Sequence, residues 1–116
     1  MKYYGKTKTW KWYYYKLTIV IFDDWNELKG YIPDDELEQS GNGITIEGYG
    51  SSLVAIDARS SKSIYHEALH IVNSIWRYIG YEPSRDNDEV SAYLLAYLST
   101  KIEEVYYRHI GKELVR

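Results

Sequence analysis

Cysteine is absent from this 116-residue chain. No disulfide can staple the fold, and any bound metal has to be held by histidine and carboxylate. A reducing compartment suits such a chain. Long apolar runs are missing as well: the longest, Leu17 to Phe22, is far too short to span a bilayer. The start, Met-Lys-Tyr-Tyr-Gly-Lys, leads into lysines and aromatics rather than an apolar signal core, so the expected location is the cytoplasm. Phenylalanine occurs once, against fourteen tyrosines and four tryptophans. Much of the apolar bulk therefore carries a polar tip that needs a partner or water when buried.

A composition of 45% hydrophobic and 27% charged residues excludes a disordered or fibrous chain, and the length allows one domain, residues 1–116. The net charge of −3 is mild but unevenly placed. Lys2, Lys6, Lys8, Lys11 and Lys16 make the beginning basic, and the stretch from Asp23 to Glu38 is acidic. Such asymmetry marks either a binding surface or two neighbouring elements of opposite sign.

Thr9 to Phe22 is dense in aromatic and β-branched residues and free of Gly and Pro, which predicts one long strand or two joined by a bend. A short helix is expected over 25–31, capped by Asp23 or Asp24 and ended by Gly30 and Pro33. After the turn signal Gly41-Asn42-Gly43, residues 44–47 and 53–57 read as a hairpin with an irregular loop from Gly48 to Ser52. From Ser63 the period changes. Ile64, Ala68, Ile71, Val72, Ile75, Trp76 and Ile79 recur at three- and four-residue steps, predicting an amphipathic helix capped by Ser61 or Ser63 and closed by Gly80. A second helix is expected from Asp86 or Asp88 to about His109. The class is α+β: a small, mostly antiparallel sheet packed against two long helices.

The first long helix contains His66-Glu67-Ala68-Leu69-His70, an HExxH pattern. Residues four apart lie one turn above each other, so both imidazoles can meet one zinc ion while Glu67 projects toward the open coordination position. The plain alternative is two histidines on a helix that merely bond their neighbours. A third ligand is needed, and Glu89, nineteen positions after His70, falls at the start of the second helix. Glu89, Ala92, Tyr93 and Ala96 share one face there, and the alanines allow a close helix–helix approach. Asp86, Asp88 and His109 compete for the role, and Glu89 also suits a helix's first turn on electrostatic grounds alone.

A strand, an HExxH helix and a second helix donating glutamate resemble the core of gluzincin-type zinc metallopeptidases, in particular the very small minigluzincins. The segment from His66 through Asn87-Asp88-Glu89-Val90-Ser91-Ala92-Tyr93 to Leu98 is also similar to small uncharacterised proteins of tailed phages. The resemblance covers roughly the second half of the chain. It implies a zincin-like core, zinc held by His66, His70 and Glu89, and Glu67 as general base and proton shuttle in peptide hydrolysis. Larger gluzincins place an aspartate four residues after the glutamate ligand, where this chain has Tyr93. Tyr93 then orients a ligand, stabilises an oxyanion, or packs between the helices. The resemblance further implies an extended peptide or protein substrate, a host protein among the possibilities, pairing with the exposed edge of the strand before the helix, here Leu53 to Asp57.

Two other readings stand beside the enzyme. A phage or mobile-element protein can keep a zinc site for stability alone and act by blocking a host partner. The run Lys8-Thr9-Trp10-Lys11-Trp12-Tyr13-Tyr14-Tyr15-Lys16 has the look of a stacking platform for single-stranded nucleic acid, but the acidic remainder argues for an ordinary structural strand. No membrane partner is expected.

Overall fold

The computed structural model describes residues 6–10, 15–30, 32–33, 35, 41–86 and 88–115. Four strands form one sheet, β1 (Lys6–Trp10), β2 (Tyr15–Phe22), β3 (Gly43–Gly48) and β4 (Ser51–Asp57), in the order β1-β2-β4-β3. Two helices follow, α1 (Ile64–Ile79) and α2 (Glu89–Val115). The α+β class read from the pattern is the one observed. β1 pairs with β2 and β3 with β4 in antiparallel fashion, whereas β2 and β4 run parallel. That parallel pair arises because the chain leaves β2, turns through a 3-10 helix at Trp25–Leu28 and hairpins from β3 back into β4.

Of the two readings of this stretch, one long strand or two, the second is observed, as an antiparallel pair, and the hairpin loop is shorter than the sequence implied. Gly48 already pairs with Ser51, leaving only Tyr49 and Gly50 as the turn. Gly50 has φ +66°, and a Cβ there would lie 3.0 Å from the Tyr78 ring, so both backbone and space call for glycine. The 3-10 helix opens with a capping box: Asp24 accepts from the Asn26 amide, and Glu27 accepts from the Asp23 and Asp24 amides. Gly80 closes α1 in the left-handed conformation. Ser63 occupies the start of α1 but makes no side-chain capping bond.

Both faces of the sheet are covered. On one face Tyr15, Leu17, Ile19, Ile21, Val54 and Ile56 pack with Ile64, Ala68, Ile71, Val72, Ile75 and Trp76 of α1 and with Leu98, Ile102, Val105 and Tyr106 of α2. On the other, Val20, Phe22, Ile44 and Ala55 pack with Leu28 and Ile32 from the segment between β2 and β3. Central-strand residues buried on both sides explain why β2 and β4 read as continuous apolar runs. The strand singled out as an exposed edge, Leu53 to Asp57, lies instead inside β4, between β2 and β3. The edge next to the helices is β3.

The face of α2 toward the core also differs from expectation. Leu98, Ile102 and Val105 point inward, while Glu89, Ala92, Tyr93 and Ala96 are exposed. Leucine and isoleucine remove more apolar surface from water than alanine does, so the helix rotates to bury them. Tyr93 is 73% exposed and does not pack between the helices. Tyr15 is fully buried, its hydroxyl paired with Ser52 and its ring edge-on to Tyr78, and so offers no face to a base. Of the rest of the aromatic–lysine run, Lys8, Thr9 and Trp10 belong to β1, Lys16 sits exposed in β2, and residues 11–14 lie outside the described residues.

At the end of β4, Asp57 is 3% exposed and takes a bidentate grip from Arg59 at 2.9 and 2.6 Å, plus the Arg59 amide at 2.9 Å. Burial pushes this carboxyl up, but the Arg59 bonds and charge outweigh it, and it sits below the ordinary carboxylate range. A lowered folded-state value means a contribution to stability that is present above about pH 4 and fades as the pH falls through that lowered value. Asp57→Asn should cost about 1–3 kcal/mol at pH 7, and urea unfolding at pH 7 and pH 3 should show the gap to wild type narrowing in acid. Ile71→Ala, at a fully buried position, should cost about 2–5 kcal/mol in the same assay, against less than about 0.5 kcal/mol for the exposed Asn73→Ala.

Candidate metal centre

Rotation of α1 is set by its apolar stripe, and the polar positions follow from it. At about 100° per residue, turning Ile71 and Ile75 toward the sheet leaves His66 and His70 on the outer flank beside β3, with Arg77 further along the same stripe. The two imidazole Nε2 atoms stand 3.2 Å apart. Two nitrogens bound to one tetrahedral zinc at about 2.05 Å each are separated by roughly 3.3 Å, so this pair fits two corners of such a site. The His66 side chain is 70% exposed, leaving that position open to solvent and to a ligand.

Glu67 lines the same side of α1 but is turned inward against β3. It is only 6% exposed, and its Oε1 accepts a 2.8 Å hydrogen bond from the Thr45 hydroxyl on β3. Its Oε2 lies 3.9 Å from His66 Nε2, too far for a hydrogen bond. β3 comes close to α1 because position 43 is glycine: a Cβ there would stand 2.6 Å from Ser63 Oγ. That Ser63 hydroxyl oxygen is buried with no hydrogen-bond partner among the described residues.

Around these groups opens a cleft of about 460 Å³, lined by β3, by the Gly41–Asn42 turn before it, and by α1 from Ser63 to Arg77. Its far end is closed by Glu47 and Arg77, paired at 2.5 Å. Arg77 also donates to Ser74 Oγ at 3.3 Å. The Arg77 hydrogen bond holds the Glu47 carboxyl below its ordinary range and raises the guanidinium in return. The sequence marked Ser63 only as a helix cap, and did not mark Thr45, Glu47 or Arg77 as site residues. The alternation Ile44-Thr45-Ile46-Glu47 was the available signal, since it puts Thr45 and Glu47 on one face of the strand.

Three of the five residues expected at the site are therefore together: His66, Glu67 and His70. Glu89 and Tyr93 do not line the cleft. The Tyr65–Glu103 and Trp76–Ser91 hydrogen bonds run α2 antiparallel along the Tyr65/Trp76 stripe of α1. His66 and His70 lie about 100° and 140° around the helix from Tyr65. The Trp76–Ser91 bond also sets Glu89 near the level of Tyr78, roughly 12 Å beyond His70 along the axis. Among the described residues no group of three His, Cys, Asp or Glu is arranged to hold a metal ion. His109, a competing ligand in the sequence, is fully buried with its Nε2 3.0 Å from Asp23 Oδ1, which ties α2 to the end of β2.

No known protein family, curated protein or solved structure matches the chain. Among the described residues no helix is long and apolar enough to cross a membrane.

A zinc titration followed by NMR should separate the three histidines. The His66 and His70 imidazole resonances shift, and those of His109, held in the core against Asp23, stay in place.

Proposed function

We propose that this protein is a zinc-dependent peptide hydrolase in which His66 and His70 supply two of the metal's ligands, water and substrate take the other positions, and Glu67 is the general base. The observation that carries the reading is the pairing of two imidazole nitrogens 3.2 Å apart with a buried carboxylate on the next residue, all facing one cleft beside an edge strand. Zinc bound there would supply Lewis acidity to a peptide carbonyl and to the attacking water. Glu67 accepts the proton of that water and returns it to the leaving amine. The backbone of β3, at the sheet edge beside the cleft, is the surface on which an extended peptide aligns. Peptide or protein is the proposed substrate class, and the cytoplasm the proposed location, in keeping with a chain that has no cysteine.

A purely structural role for zinc finds less support. The histidines are exposed, and the core between the sheet and both helices closes without them. Chelation should leave the far-UV circular dichroism spectrum unchanged at 25 °C, whereas a folding role for the metal predicts its collapse.

The test combines elemental analysis with a peptide-library assay. Wild type should carry about one zinc per chain, His66→Ala and His70→Ala should lose it, and Glu89→Ala should retain it. A zinc loss in Glu89→Ala would mean that the first turn of α2 swings over to the histidines. Glu67→Gln should keep zinc while lowering kcat by at least about 100-fold. A zinc-loaded wild type that cleaves no peptide, with Glu67→Gln indistinguishable from it, sinks the proposal.

A further inference from the structure

Glu67 is the first-turn acid of α1, yet its carboxylate is buried and has one hydrogen-bond donor among the described residues, the Thr45 hydroxyl at 2.8 Å. A glutamate's last torsion, joining an sp³ to an sp² carbon, is broad and intrinsically loose. Left alone, either oxygen of Glu67 can turn toward His66. The Thr45 bond removes that freedom. It ties Oε1 to the strand and leaves Oε2 on the side of His66 Nε2.

The support under Thr45 is stiff at each level. Its side chain is β-branched, with few rotamers open to it. Its backbone pairs across the sheet with Val54, which is fully buried. The same hydroxyl also lies 3.4 Å from the Glu67 carbonyl, but it has one proton, and the shorter contact to the charged oxygen takes it.

We infer that Thr45 is the positioning residue for the general base: it anchors one carboxylate oxygen of Glu67 so that the other meets the attacking water. This rests on the hydrolase reading above. The division of labour assigns Oε1 to holding the side chain and Oε2 to carrying the proton from the water to the leaving amine. It also links the base to the strand on which the substrate aligns, so one element sets both the peptide and the group that activates its attack.

The experiment is a double-mutant cycle between Thr45→Val and Glu67→Gln, with Thr45→Ser as the conservative variant. Zinc content, kcat, KM and unfolding midpoint are read on the zinc-loaded full chain. Thr45→Val, close to threonine in shape but without the hydroxyl, should lower kcat about 10- to 100-fold with zinc content and KM within about twofold of wild type. Thr45→Ser should return kcat to within about threefold of wild type. In the Glu67→Gln background Thr45→Val should lower the residual rate no further. The inference is overturned by a normal kcat in Thr45→Val, by a serine variant as slow as the valine one, or by an equal loss in both backgrounds. If zinc-loaded wild type hydrolyses nothing while the unfolding midpoints still show coupling between positions 45 and 67, the bond stands and the hydrolase reading falls, taking the catalytic role of Thr45 with it.

Discussion

Burial of the apolar stripe of α1 against the inner face of the sheet is the constraint on which the rest depends. Ile64, Ala68, Ile71, Val72, Ile75 and Trp76 all fall below 4% exposure, and they meet Leu17, Ile19, Ile21, Val54 and Ile56 across the layer. Each large side chain so buried contributes about 1.5–3 kcal/mol, whereas a polar contact at the surface contributes about 1 kcal/mol or less. The stripe therefore fixes the rotation of the helix, and the polar residues take the positions it leaves them. His66 and His70 go outward beside β3. Glu67, one position on, is carried inward until its carboxylate is largely buried and needs a donor, which Thr45 supplies.

The same competition decides where α2 lies. Its leucine and isoleucine stripe enters the core, and the face bearing Glu89 and Tyr93 is turned to solvent. The packing then draws the polar ends of the layer into pairs: Tyr106 donates to the Ala58 carbonyl at 2.9 Å, and His109 meets Asp23. These bonds join the C-terminal helix to the ends of the two parallel strands, a connection between residues as far as 86 positions apart. Those two bonds hold α2 in place against the end of the sheet.

The cleft combines two environments along one wall. At one end lie exposed imidazoles and a buried carboxylate; at the other, an ion pair between Glu47 and Arg77 bridges strand and helix across the cleft's rim. Close approach of β3 at Gly43 brings Thr45 within reach of α1. Without the edge position of β3, the cleft would have no free backbone along its length. The sheet order thus shapes the cleft as directly as the residues of α1 do.

Local patterns carried much of this. The alternation of β3, the three- and four-residue spacing of α1, the Asp24 cap and the Gly80 stop are all short-range features, and each is found where the sequence placed it. The pairing of His66 with His70 was legible for the same reason, since residues four apart on a helix are neighbours whatever the rest of the chain does. Glu89 and Tyr93 were judged from the face they share on α2, but which face turns inward depends on how much apolar surface every face can bury, and that sum is made only in the packed molecule. The order of the strands was likewise hidden, because β4 pairs with β2 across about 35 residues of intervening chain. By itself the sequence determined the helices, the strands and the histidine pair, through interactions spanning a turn or less. Only the tertiary structure decided that Thr45 holds Glu67, that β3 is the edge, and that α2 packs away from the histidines, because each of these rests on surfaces brought together from distant parts of the chain.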